Sequence, residues 1–80
     1  MDSDLYKDLL TGIVEELVSK TDDPDLFAPG ELNTGYRLAL HAVLSLIEGD
    51  AKGLNVEPAE IGFGSFSPTE WLRLGPDYPR

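Results

Sequence analysis

Apolar residues recur with the period of an α-helix over the first stretch of the chain. They form two adjacent rows, and the members of each row are four positions apart: Leu5, Leu9, Ile13 and Leu17 in one, and Tyr6, Leu10, Val14 and Val18 in the other. This spacing gathers the apolar residues on one broad side of a helix. The pattern predicts a first helix over about residues 3–20.

A second stretch, residues 36–48, is apolar except for four positions. These are Arg37, His41, Ser45 and Glu48, at spacings of four, four and three. At about 100° per residue, the four side chains share an arc of roughly 80°. We therefore expect a second helix over about residues 33–50, with this polar row facing solvent and every other side covered. The positions expected to be almost completely buried are Leu40, Val43, Leu44 and Ile47.

The connection between the two helices is rich in turn-forming residues. Asp23 is placed to cap a single helical turn that has Pro24 at its first position. We expect Leu26 and Phe27 to dock this turn on the core. At the other end of the second helix, Gly49 and Gly53 are both suitable stop signals. Asp50 falls on the apolar side of the helix, which favours fraying after Glu48.

The last third of the chain predicts short helical turns. Pro58 and Gly62 mark the start and the stop of one turn. Ser67 and Glu70 match the S-x-x-E capping box of another, with Pro68 at its first helical position.

These elements predict an all-α fold in one small domain, residues 1–80. It has two main helices, at about 3–20 and 33–50, and a C-terminal arm of short helical turns that wraps the second helix.

Charge changes this picture, because the net charge of −9 is unevenly distributed. Residues 1–31 contain nine acids and two bases, a balance of −7, whereas residues 32–80 contain six acids and four bases, a balance of −2. Nucleic acids and anionic membranes are poor partners for such a chain. A basic protein surface would be attracted to it. Acidity that only keeps a small apolar-rich protein soluble is the alternative.

The sequence indicates neither a disulfide framework nor a membrane span. It has no cysteine, its start lacks the features of a signal peptide, and no apolar run approaches the length of a span. A soluble cytoplasmic protein is the expectation.

Two groups of residues are candidates for a catalytic or metal-binding site, and a simpler interpretation is favoured for both. His41 and Ser45 have the i,i+4 spacing of a base and a nucleophile, but a solvated or hydrogen-bonded surface histidine explains them better, because nothing in the sequence activates Ser45. Asp22, Asp23 and Asp25 suggest a loose site for a hard cation, yet no EF-hand loop follows them, and capping explains the same residues. We therefore predict no catalytic residue, no metal site and no cofactor.

What remains is a surface for a partner protein. Its candidate residues are acids on the first helix and in the following turn, Asp4, Asp8, Glu15, Asp22, Asp23 and Asp25, and aromatic residues of the C-terminal arm, Phe66, Trp71 and Tyr78. Aromatic residues near acids are typical of binding patches. The alternative is that these aromatics close over the second helix as the lid of a small core.

In length, acidity and helical content the chain resembles bacteriocin immunity proteins, a likeness that assigns no residue roles. The leading hypothesis is a non-enzymatic protein-binding module, an inhibitor or immunity/antitoxin-type protein that neutralises a basic partner. The alternative is a homo-oligomeric structural or adaptor subunit of a bacterial or phage assembly, in which a two-fold dimer buries excess apolar surface.

Overall fold

A computed structural model describes residues 3–79, and within that range the protein is helical without any strand. The α-helices are α1, Ser3–Lys20, α2, Glu31–Gly53, and α3, Pro68–Leu74. Short 3-10 helices occupy the connections at Pro24–Phe27, Pro58–Ile61 and Gly75–Asp77. The prediction of an all-α fold with two main helices and a C-terminal arm of short turns is confirmed.

The second helix is longer at both ends than the predicted span of 33–50. The expected fraying after Glu48 is wrong. The helix continues because Ala51 is buried in the core, and its carbonyl oxygen accepts a hydrogen bond from the Val56 amide at 2.8 Å. Burial and a satisfied carbonyl together stabilise the last turn.

The core consists of two clusters of buried side chains along α2. One cluster surrounds Leu44 and joins α1, α2 and the Pro58–Ile61 helix; its members are Val14, Leu44, Ala51, Ile61 and Phe63. The other surrounds Trp71 and contains Leu26, Leu40 and Trp71. Leu17 and Phe66 pack against both clusters and link them.

The turn after α1 forms as the sequence predicts. The Asp23 carboxylate accepts a hydrogen bond from the Asp25 amide at 2.9 Å. Leu26 is buried, and the Phe27 ring meets the Trp71 ring edge-on with centroids 5.5 Å apart. This short helix is thereby docked on the core, as expected.

Only one half of the predicted capping box forms at the start of α3. Ser67 Oγ accepts a hydrogen bond from the Glu70 amide at 3.3 Å. The Glu70 carboxylate pairs with Arg73 instead of reaching back to Ser67. The Ser67 amide donates to Tyr78 Oη at 2.9 Å, so the tyrosine takes the place of the glutamate.

Gly62 lets the C-terminal arm pack directly on the backbone of α1. Its φ of +100° is in the left-handed region that favours glycine. A Cβ added there would lie 2.7 Å from the Thr11 carbonyl oxygen. No larger residue fits this contact without a backbone shift.

The two faces of α2 are arranged differently from the prediction. Leu40 and Leu44 are buried as expected, but Val43 is 44% exposed and Ile47 only half-buried, so the prediction for these two positions is wrong. The polar row, expected to face solvent, is half-buried. Arg37 explains this reversal: its Nη1 donates to the Leu26 carbonyl oxygen at 2.8 Å.

The molecule is elongated, with extents of 45 × 20 × 19 Å and a radius of gyration of 13.3 Å. A compact domain of this length has a radius of gyration of about 12 Å. The accessible surface is 5397 Å², whereas a typical monomer of this mass exposes about 4,800 Å². The fold therefore leaves an unusual amount of surface uncovered.

Candidate interaction surfaces

The side of α2 turned away from the core, which we call the outer face, is apolar throughout. Between residues 32 and 49, every exposed position is aliphatic, aromatic or glycine: Leu32, Gly35, Tyr36, Leu38, Ala39, Ala42, Val43, Leu46 and Gly49. Leu32 is 90% exposed and Leu46 is 64% exposed. A helix face of this kind is normally buried.

The polar row of α2, Arg37, His41, Ser45 and Glu48, lies on the opposite side of the helix and is half-buried. The Arg37 guanidinium lies 5.1 Å from the centroid of the Phe27 ring, in addition to its bond to the Leu26 carbonyl. Ser45 Oγ lies 3.3 Å from His41 Nε2, within hydrogen-bond distance. Cation–π and hydrogen-bond contacts make it possible to cover these polar groups.

The first helix extends the apolar surface of the outer face. Leu5, Leu9 and Ile13 are 60%, 63% and 47% exposed. They follow one another at a spacing of four in a row that ends at Leu17, which packs against both core clusters. Both main helices thus expose apolar side chains.

Two apolar depressions mark the groove between α1 and α2. One, of about 220 Å³, is lined by Leu17 of α1 and by Tyr36, Ala39, Leu40 and Val43 of α2. The other, of about 550 Å³, lies at the far end of the pair, where Tyr6 and Leu10 face Ile47 and Leu54. These contacts show that the helices run antiparallel, and that their exposed apolar residues adjoin along the groove.

The acids predicted to bind a partner are all exposed, but the structure does not gather them into one patch. Asp4, Asp8 and Glu15 lie along one flank of α1, roughly 150° around the helix from the centre of the exposed apolar rows. We call these three the acidic ridge. The remaining three, Asp22, Asp23 and Asp25, form an acidic corner at the end of α1. Asp23 has the additional role of capping the following 3-10 helix.

The C-terminal aromatics form part of the core. Trp71 is 0% exposed, and its ring contacts that of Phe66 at a centroid distance of 6.1 Å. Tyr78 is half-buried and packs edge-on against Phe66 at 5.5 Å. A fully buried Trp71 cannot contact a partner, so its placement on a binding surface is corrected. The three rings close over α2 as a lid, which was the alternative interpretation.

Residues 3–79 contain no cluster of three or more His, Cys, Asp or Glu side chains arranged to hold a metal ion. The larger depression has neither His41 nor Ser45 in its lining. None of the helices in the same range has the length and apolar character needed to cross a membrane.

The sequence predicts excess apolar surface but not its place on the outer face of α2, although a signal for that place is present. Leu32, Ala39 and Leu46 are seven residues apart, and Gly35, Ala42 and Gly49 repeat with the same period three residues later. Alternating spacings of three and four are typical of a helix that packs along a second helix.

The chain matches no family model, no curated protein and no solved structure.

Proposed function

We propose that this chain is a non-enzymatic protein-binding module of the inhibitor or immunity/antitoxin type, which neutralises a basic partner protein. One observation carries the proposal: every acid of residues 4–31 is exposed. These acids form the acidic ridge and the acidic corner, with Glu16 and Glu31 beside them. Charge at the surface acts on a partner, whereas charge bonded inside a fold does not.

Three of the six bases of the chain have their contacts with later segments or with the backbone. Lys7 pairs with Glu60 at 3.9 Å, and Arg73 pairs with Glu70, so both compensate acids of the later segments. Arg37 is directed inward at the Leu26 carbonyl. Residues 1–31 contain nine acids and only two bases, Lys7 and Lys20, so the balance of charge there is −7.

The mechanism would be electrostatic steering followed by docking. A field of one sign raises the rate of encounter with an oppositely charged protein by about ten- to a thousandfold at low ionic strength. Exposed apolar residues on the other flank of α1, such as Leu9 and Ile13, would then supply the short-range contacts. An inhibitor of this kind needs no catalytic group, because occlusion of the partner's own site is sufficient.

The test compares two triple charge reversals of equal size. One replaces Asp8, Glu15 and Asp25 with lysine, and the control replaces Glu57, Glu60 and Asp77 with lysine. All six side chains are exposed, so the circular dichroism spectrum should be the same for both variants and the wild type. Tagged wild-type and variant chains would be used to capture partners from cells of the source organism, at about 0.05 and about 0.5 M salt.

We expect the wild type and the control to capture a protein of basic isoelectric point and to suppress its activity, with binding that weakens at the higher salt. The variant with lysine at positions 8, 15 and 25 should capture about tenfold less of this protein, or none. Equal losses from both reversals, or no loss from either, would show that the acidity serves solvation, and the proposal would be rejected.

A second candidate is a homo-oligomeric structural or adaptor subunit, which the outer face of α2 favours. The two candidate functions differ in how association responds to salt. Copies that each carry a charge of −9 repel one another, so their association should strengthen with salt, whereas binding to a basic partner should weaken.

A further inference from the structure

We propose that a second copy of this chain covers the outer face of α2, and that the two α2 helices pack antiparallel around a two-fold axis. The inference develops the second candidate function, and it holds whether or not a basic partner exists.

The size of the apolar surface excludes a small ligand as its cover. From Leu32 to Gly49 the outer face extends along α2 over about 26 Å, at 1.5 Å per residue. The depression of about 550 Å³ is lined by α1, by the C-terminal end of α2 and by the segment after it, and includes none of the outer-face residues. A face of this length requires another protein segment of similar length.

The uncovered area is close to what a dimer buries. The chain exposes 5397 Å², roughly 600 Å² more than a typical monomer of its mass. A standard protein interface buries about 800 Å² per partner. Burying the outer face between two copies would bring the exposed surface of each chain to the ordinary range.

A second copy fits because the outer face complements itself. The outer face contains two rows with a seven-residue repeat, Leu32, Ala39 and Leu46 in one and Gly35, Ala42 and Gly49 in the other. In an antiparallel pair of helices, each row of one copy faces the other row of the second copy. Leu32 then lies opposite Gly49 of the second copy, and Leu46 opposite Gly35. Each leucine thus meets a residue without a side chain. A parallel pair in register would instead bring leucine against leucine and leave space between the glycines.

Neither packing nor backbone conformation within the single chain requires glycine at position 35 or 49. A Cβ added at Gly35 or Gly49 meets no atom within 4 Å, and neither residue has a positive φ. Glycine weakens the interior of a helix relative to alanine. Their presence is explained if the backbone of a second helix approaches closely at these positions.

The centre of the proposed contact is free of charge, and like charges meet only at its two ends. The outer face has no charged side chain between residues 32 and 49, and the acidic ridge lies on the other flank of α1. Glu31 and Asp50, at opposite ends of the face, would come near each other across the axis. This like-charge contact adds to the general repulsion, so the dimer should strengthen with salt.

The first test measures mass and its response to a designed clash. By sedimentation at about 100 μM, the wild type should have about twice the monomer mass of 8.8 kDa. Gly49→Leu should weaken dimerisation by about tenfold or more, because two leucines then compete for one space. Adding Leu32→Ala to the same chain should restore the wild-type dissociation constant to within about threefold.

Gly12→Leu is the matched control. A Cβ at Gly12 also meets nothing within 4 Å, but this residue lies on α1, away from the outer face, so dimerisation should be unchanged. Leu32 is 90% exposed, so none of these variants should alter the far-ultraviolet circular dichroism spectrum of the folded chain.

The second test determines orientation by disulfide formation. The chain has no cysteine of its own, so a Leu32→Cys copy and a Gly49→Cys copy each carry one thiol. In the antiparallel pair a disulfide should form when the two are mixed and oxidised, and not in either copy alone. Disulfides within the separate copies only would show a parallel pair. A wild type that is monomeric at high concentration would overturn the proposal, and a Gly49→Leu variant that dimerises normally would overturn the assigned contact.

Discussion

The side of α2 opposite the outer face, which we call the inner face, carries Arg37 and His41, which are half-buried and make hydrogen bonds. On the outer face, by contrast, Leu32 and Leu46 are exposed. The difference shows that polarity alone does not decide which face of a helix is covered. The Pro24–Phe27 helix offers both a carbonyl oxygen and an aromatic ring to Arg37, and His41 lies within hydrogen-bond distance of Ser45. Within residues 3–79 the outer face has no such neighbour, and its apolar residues suit an intermolecular contact.

The largest expected effect on stability is for a buried residue on the inner face of α2. Leu44→Ala should lower the free energy of unfolding by about 2–5 kcal/mol, because Leu44 is completely buried and its loss leaves a cavity between α1 and α2. Urea denaturation of a dilute sample would measure the change. This is enough to unfold much of a marginally stable domain.

Val43→Ala is the control on the neighbouring, exposed position. Val43 is 44% exposed, so in the dilute monomer the cost should be at most about 1 kcal/mol. If Leu44→Ala melted within a few degrees of the wild type, or if the two variants were equally destabilised, the assignment of inner and outer faces would be wrong.

An intermediate effect is expected for the polar group of the inner face. Arg37→Met keeps the aliphatic stem but removes the hydrogen bond to the Leu26 carbonyl and the contact with the Phe27 ring. A covered carbonyl without a donor should cost about 1–3 kcal/mol. Arg73→Met is the matched control, because its salt bridge with Glu70 is exposed and should contribute at most about 1 kcal/mol.

Comparison of Arg37→Met with Arg73→Met by thermal denaturation decides whether the inner-face arginine contributes to stability. Equal melting temperatures for the two variants would mean that the polar row of α2 is only incidentally covered.

The smallest effect has the opposite sign and belongs to the outer face. Gly35→Ala should stabilise the dilute monomer by about 0.5–1 kcal/mol, because alanine favours the helix and the space at this position is open. Gly62→Ala should instead destabilise the chain, since Gly62 has a positive φ and contacts the Thr11 carbonyl. Denaturation curves for both variants would check the contrast, and destabilisation by Gly35→Ala at low concentration would contradict an uncovered outer face.

Local signals in the sequence predicted the elements well. Asp23, Ser67 and Gly62 act within a few residues of themselves, and their caps and stop signals are found where the spacing indicated. Such interactions depend on neighbours along the chain, which a sequence displays directly.

The orientation of α2 could not be predicted in the same way. Whether Arg37 faces solvent depends on the Leu26 carbonyl, eleven residues away, and on the position of the Phe27 ring. A helical pattern with one polar and one apolar side favours burial of the apolar side. This chain supplies polar contacts for the polar side, and the fold therefore departs from the rule.

The candidate surfaces were predicted only in part. The exposure of the acids follows from their charge, since carboxylates are rarely buried without a partner. The aromatic residues could not be assigned without the structure, because Trp71 is equally suited to a core and to an interface.

The contact between Gly62 and Thr11 makes the cover of α1 depend on the last third of the chain. Ile61 and Phe63, on either side of Gly62, belong to the same buried cluster as Val14. A chain in which α1 and α2 have formed but this segment has not docked therefore exposes Val14 to water together with the apolar rows around it. Such a partly folded state, with its exposed apolar surface, is prone to aggregate.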